Sequence, residues 1–117
     1  MASARRRCRL TGVGAFEQVF RTGRRSDGEF LQLVSVPAAQ ACGRVGFVIG
    51  AKALPRAVDR NRVRRMLRVV LRDARAMVRG LDLIVRIKRP VARSEFDRVV
   101  DEARRMLAVL PRYSETP

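Results

Sequence analysis

Apolar residues recur along this chain with two periods, about 3.6 and 2 residues, and the switches between them mark the elements. Over residues 11–22, Val13, Phe16, Val19 and Phe20 keep helical spacing, with Thr11 as N-cap and Gly23 just past the end. Gly12 and Gly14 weaken the start, since a glycine inside a helix costs about 1 kcal/mol relative to alanine. Turn-rich residues 24–28 lead into GEFLQLVSV, a strand expected to end before Pro37. Leu31 and Leu33 take one side of it, and Phe30, Gln32 and Val34 the other. A further short edge strand fits near Arg25 and Ser26. RVGFVIG, residues 44–50, predicts another strand, with Val45, Phe47 and Ile49 on one face and Gly46, Val48 and Gly50 on the other. The glycines leave that second face shallow, through a bulge or the close approach of a backbone or ligand.

Residues 54–80, LPRAVDRNRVRRMLRVVLRDARAMVRG, predict one long helix. At 100° per residue Val63, Met66, Leu67, Val70, Leu71, Ala74, Met77 and Val78 share one sector, while Pro55 suits the start and Gly80 the stop. LDLIVRIK, residues 81–88, is a third clear strand, closed by Pro90. Ser94 with Asp97 makes an N-cap box for a last helix carrying Phe96, Val99, Val100, Ala103, Met106, Leu107 and Leu110 at helical spacing. The order α-β-β-(β)-α-β-α is that of an α+β fold: a two-layer sandwich of one small sheet, three to four strands, packed with three helices. At 117 residues this is a single domain. Residues 1–9 form a basic arm with Arg5, Arg6, Arg7 and Arg9, residues 10–110 the α/β domain, and residues 111–117 a fraying tail.

Charge changes the picture on the long helix. Opposite its apolar sector, Arg64, Arg68, Arg72, Arg75 and Arg79 line up with Asn61, and Arg62 and Arg65 sit just around the edge. Like charges three or four residues apart repel by a few tenths of a kcal/mol per pair, so a surface helix ordinarily mixes signs. Here the crowding calls for an external polyanion. The whole chain points the same way, with 26 Lys plus Arg against 11 Asp plus Glu, a formal +15, and 47% hydrophobic residues that mark a folded protein. Only Lys52 and Lys88 are lysines. Arginine's planar fork suits phosphate and base stacking, although a compositional bias toward arginine throughout the chain accounts for the excess equally well.

Several chemistries are disfavoured. There is no histidine, and no phosphate-binding or nucleophile-elbow motif. The acids that cluster, Glu95, Asp97, Asp101 and Glu102, are interleaved with arginines at the start of the last helix, where the dipole favours them. No catalytic or metal-ligating side chain is expected. Cys8 and Cys42 form neither a zinc motif nor a disulfide framework, which fits free thiols in a reducing cytoplasm. No uncharged run reaches membrane-spanning length, and MASARRRCRL lacks the apolar core of a secretory signal. A transit peptide is the competing reading of that start, weakened because apolar patterning resumes at Leu10 and Val13. A lipid surface would need the helix's apolar face free, and a major-groove helix would sit in an all-helical unit. A basic helix beside a sheet with aromatics fits RNA better.

Residues 57–68, AVDRNRVRRMLR, resemble the signature of the bacterial ribonuclease P protein component, an RNR core opening a long basic helix. The similarity extends through RVGFVIGAK, through LTGVGAFEQVFRTG with its two phenylalanines four apart, and through DLIVRIKRP, so it covers most of the chain. It implies an α/β sandwich with a left-handed crossover. It also implies an endoribonuclease holoenzyme subunit that binds a catalytic RNA, as a protein monomer in a 1:1 complex in the cytoplasm. That RNA, holding Mg²⁺, removes the 5′ leader of precursor tRNA. On this resemblance Arg60, Asn61, Arg62, Arg64, Arg65 and Arg68 face the RNA, with Arg72 one turn further. For Arg60, at the margin of the core sector, bracing the helix start is the rival role. The resemblance also implies a cleft for the single-stranded leader, lined by Phe16 and Phe20, floored by Leu31 or Leu33 and Val48, and edged by Lys52. A phenylalanine pair four apart on a short helix is more often core than stacking platform. Leu33 stands where the family often has an aromatic, which implies weaker stacking. Asp59 puts an acid beside the proposed phosphate site or serves the helix N-terminus.

Overall fold

A computed structural model describes residues 13–38 and 43–110. The arm arginines Arg5, Arg6, Arg7 and Arg9, the Thr11 cap, both cysteines and the tail after Leu110 lie outside them. The elements are α1 (Val13–Thr22), β1 (Arg24–Asp27), β2 (Leu31–Pro37), β3 (Val45–Val48), α2 (Ala57–Asp73), α3 (Arg75–Val78), β4 (Leu81–Ile87) and α4 (Phe96–Ala108). The edge strand expected near Arg25 is therefore present as β1, and β2 runs through Pro37, which pairs with Leu81.

The sheet order is β1-β2-β4-β3. β2 is antiparallel to both β1 and β4, whereas β3 runs parallel to β4, with α2 and α3 as the crossover between them. β4 is central and apolar because strands flank it on both edges and helices lie on both faces. Leu81, Leu83, Val85 and Ile87 pack under α2 and α4, and Ile84 packs under α1. The larger core joins Leu31, Leu33, Leu83 and Val85 to Val63, Leu67, Val70 and Leu71 of α2 and to Phe96, Val99, Ala103 and Leu107 of α4. Truncating one such leucine to alanine costs about 2–5 kcal/mol. The sheet with α2 and α4 makes the two main layers. The other sheet face carries α1 alone, through Val19 against Val34 and Ile84.

Two local readings change. The helix expected over residues 54–80 breaks at Ala74, whose N–H still bonds Val70 O at 2.9 Å while its ψ has left the helical range. Ala74 and Val78 keep packing on the core, so the apolar period runs unbroken through a break in the backbone. Gly80, with φ of 77°, then turns the chain into β4. The box expected from Ser94 and Asp97 is replaced one turn earlier. A 3-10 turn at Arg93–Glu95 precedes α4, and the Glu95 carboxylate accepts the Ala92 N–H at 2.9 Å.

Candidate nucleic-acid interface

α2 buries Asp59, Val63, Leu67, Val70 and Leu71, which turns Asn61, Arg62, Arg65 and Arg72 outward, with Arg64 and Arg68 half-buried at their flank. Among the described residues, Arg62, Arg64, Arg65 and Arg72 have no carboxylate within 4.0 Å. Their contacts hold geometry instead. Arg64 Nη1 donates to Asn61 Oδ1 at 2.9 Å, and the Arg62 and Arg68 guanidinium groups lie 5.9 and 5.8 Å from the Phe96 and Phe47 ring centres. Arg62 and Arg64 are thus aimed without an acid beside them among the described residues.

Arg60 and Asp59 lie differently. Arg60 Nη1 donates to the Leu54 and Pro55 carbonyls at 2.8 and 3.0 Å, which is the bracing role at the helix start; the expectation of Arg60 as an RNA contact finds that nitrogen already committed. Asp59 is buried and faces Arg93, whose Nε sits 3.2 and 3.4 Å from its carboxylate oxygens. Asp59 is therefore turned away from the arginines, and exposed Asp73 at the end of α2 pairs with none of them among the described residues.

Of the residues expected to line a cleft beside α1, Phe16, Phe20 and Val48 come together, and Leu31 and Leu33 do not. Phe16, Phe20 and Val48 are half-buried around Val19, Val34 and Ile84, with Val36 and Ala15. Leu31 and Leu33, 0% and 1% exposed, belong to the opposite face, beneath α2 and α4. The cause is the two-residue period of a strand: the alternation is as expected, but the set facing α1 is the even-numbered one. Val34, equally buried, packs under α1 in their place, and the aromatic question posed at Leu33 does not arise on this face. Lys52 is exposed on the turn after β3, where Ala53 and Leu54 N–H groups close on the Gly50 carbonyl.

Residues that pattern reading missed complete this face. Arg25 donates to the Phe20 carbonyl at 2.7 Å and lies 5.8 Å from the Phe20 ring centre, so it fastens the end of α1 and covers the ring. In register across the strands run Asp27, Gln32, Arg86 and Val48. Gln32 donates to Asp27 Oδ1 at 3.1 Å and accepts from Arg86 Nη1 at 3.2 Å, while Lys88 Nζ reaches Asp27 Oδ1 at 3.3 Å. The Gln32 amide, then the Lys88 ammonium, hold the Asp27 carboxyl below the usual carboxylate value, so it stays ionised at neutral pH. The signal for this face lay in β4, whose even positions Asp82, Ile84, Arg86 and Lys88 are mostly charged while its odd positions are all apolar.

α4 carries its charge in the opposite manner. Arg98 pairs with Glu29 at 3.0 Å and Glu95 at 3.5 Å, and Arg104 with Asp101 at 3.7 Å. Glu102 is buried, and its carboxylate accepts the backbone N–H groups of Glu29, Phe30 and Leu31 at 2.6, 2.8 and 2.8 Å. A Cβ on Gly28 would stand 2.6 Å from the Glu102 Cδ, so the turn needs glycine to admit that carboxylate. A cavity of about 120 Å³ beside it is lined by Glu29, Phe30, Arg98, Asp101, Glu102 and Arg105, a mixture of signs that does not suit a polyanion. No group of three or more Asp, Glu, Cys or His residues is gathered for a metal ion among the described residues, and none of their helices is long and apolar enough to cross a membrane.

Fold and surface together define a small basic α+β domain in which one helix carries Arg62, Arg64, Arg65 and Arg72 without carboxylate partners among the described residues and, on the other sheet face, half-buried Phe16 and Phe20 pack beside the strands. The chain belongs to the ribonuclease P protein family, whose family model, described as Ribonuclease P, matches residues 4–110. It is 30% identical over 98 residues to the ribonuclease P protein component of Nitrosomonas europaea, covering 84% of this chain and 82% of that one. To that of Chromobacterium violaceum it is 32% identical over 108 residues, covering 92% and 89%. Solved structures share the fold. The Staphylococcus aureus RNase P protein superposes with a TM-score of 0.73 at 15% identity, covering 91% of this chain and all of that one. The Thermotoga maritima RNase P protein gives 0.71 at 20% identity, covering 92% of this chain and all of that one. Membership implies a subunit of a ribonuclease holoenzyme, partnered by an RNA, with a part in tRNA processing.

Proposed function

We propose that this chain binds the catalytic RNA of ribonuclease P through the outward face of α2, and the 5′ leader of precursor tRNA through the cleft beside α1. The observation that carries the reading is the row Arg62, Arg64, Arg65 and Arg72, left without carboxylate partners among the described residues. Phosphates relieve the repulsion within that row, and the released counterions drive association. In the cleft, half-buried Phe16 and Phe20 offer ring surface to unpaired bases, worth about 1–3 kcal/mol per stacked base, beside half-buried Val48 and with Lys52 exposed nearby. Hydrolysis of the leader bond is assigned to the RNA, which supplies the Mg²⁺ ligands. The protein's part is to place cations where two polyanions meet, in the cytoplasm, as one protein per RNA.

Protein combined with its cognate RNA and a precursor tRNA is expected to cleave at Mg²⁺ concentrations where the RNA alone is slow, with affinity falling steeply as salt rises. Cleavage by RNA-free protein, or a Mg²⁺ requirement unchanged by the protein, overturns the reading.

A further inference from the structure

The sheet face beside α1 presents two neighbouring rows that the α2 surface does not explain. One is apolar at its centre and reads Arg25, Val34, Ile84, Gly46; the next, about 7 Å along the strands, reads Asp27, Gln32, Arg86, Val48. Three basic side chains from β4 and the residue leading into β3 lie on this face, and their partners differ. Arg44 is clamped by the buried Asp82 at 2.7 Å, and Lys88 pairs with Asp27 at 3.3 Å. Among the described residues Arg86, half-buried, meets only the neutral oxygen of Gln32, at 3.2 Å. Removing a cation partly from water without a counter-charge is costly unless an anion arrives to join it.

We propose that Arg86 is the phosphate anchor of the cleft, binding one phosphodiester of the single strand, and that Asp27 and Gln32 are its positioning residues. This rests on the reading of the cleft as the leader site. Gln32 is 8% exposed and its amide is fixed at both ends. Asp27 takes one amide N–H, which orients the amide oxygen toward Arg86, and that oxygen holds Nη1, leaving the other guanidinium N–H groups to meet a phosphate. A base stacked at Phe16 or Phe20 of α1, beside the apolar row, and its phosphate at Arg86 are then held together. The shared charge on Asp27 is already answered by Lys88, so the carboxylate orients the amide without repelling the strand.

The test uses the reconstituted holoenzyme and precursor tRNAs in which one leader linkage at a time is replaced by a neutral methylphosphonate. With the unaltered protein, one linkage is expected to weaken substrate binding by roughly tenfold, the scale of a charge-assisted hydrogen bond. With Arg86→Gln the same linkage should bring no further loss, and the slope of log affinity against log salt should fall by about 0.7. Arg86→Lys should restore the sensitivity in part. Gln32→Met, which keeps volume and removes both hydrogen bonds, should spread the sensitivity over neighbouring linkages, a change that mere loss of stability would not produce. Equal sensitivity of that linkage in the unaltered and Arg86→Gln proteins overturns the anchor while leaving the cleft intact. A changed preference among the four bases with unchanged linkage sensitivity makes Arg86 a base reader and also overturns it. If no linkage matters even with the unaltered protein, and leaderless tRNA binds as well, the leader cleft itself is wrong.

Discussion

α2 and α4 lie side by side on the same sheet face, bury the same kinds of residue, and are both rich in arginine, yet they differ in what stands next to each guanidinium. On α4, two of the three arginines meet carboxylates, and a third acid, Glu102, turns inward to the backbone. On α2, Asp59 is buried and held by Arg93 and exposed Asp73 makes no ion pair, so among the described residues the outward row of Arg62, Arg64, Arg65 and Arg72 has no carboxylate partner. Exposed ion pairs contribute about 0–1 kcal/mol, so the contrast has little to do with stability. It separates a helix whose charges cancel within the protein from one whose field reaches outward.

Four variants test the contrast between the two helices, in order of decreasing effect. Converting Arg62, Arg65 and Arg72 to alanine together should weaken holoenzyme assembly by two orders of magnitude or more at about 1–3 kcal/mol per lost contact, with the melting temperature unchanged. Filter binding against the cognate RNA measures the first and thermal unfolding the second. Glu102→Ala should act in the reverse sense, lowering unfolding free energy by about 2–4 kcal/mol because three backbone N–H groups lose their acceptor; RNA affinity of the folded fraction should hold, as denaturant titration alongside binding would reveal. Phe20→Ala should raise KM for leader-bearing substrate by about tenfold, the worth of one stacked base, and leave mature tRNA binding alone. Smallest of all, Arg98→Ala with Arg104→Ala should change RNA affinity by less than about threefold. If that pair of substitutions costs as much as the α2 set, the contrast between the helices has no functional meaning.

Much of this was legible in the chain because period and composition speak for different things. Helical spacing located α1, α2 and α4, and the density of arginine opposite the apolar sector of α2 named the outward face. What alternation in β2 could not tell was which set of side chains faced α1, since Leu31, Gln32, Leu33, Val34 and Ser35 are all buried. β4 held the answer in its charged even positions, but it transfers to β2 only through the antiparallel register that pairs Gln32 with Arg86. The break at Ala74 was invisible because packing continues across it. Asp59 and Arg60 were ambiguous for a shared reason: both lie at the margin of the α2 sector, where partners come from loops distant in sequence or from the turn before the helix.

The carboxylate of Glu102 reaches back 71 to 73 residues to the turn between β1 and β2. A nascent chain released only as far as β4 can already assemble all four strands, but the amides of that turn still lack their acceptor. The hairpin tip therefore sets last during synthesis, when the final helix docks. It is also the first place a protease should enter when that helix lifts away.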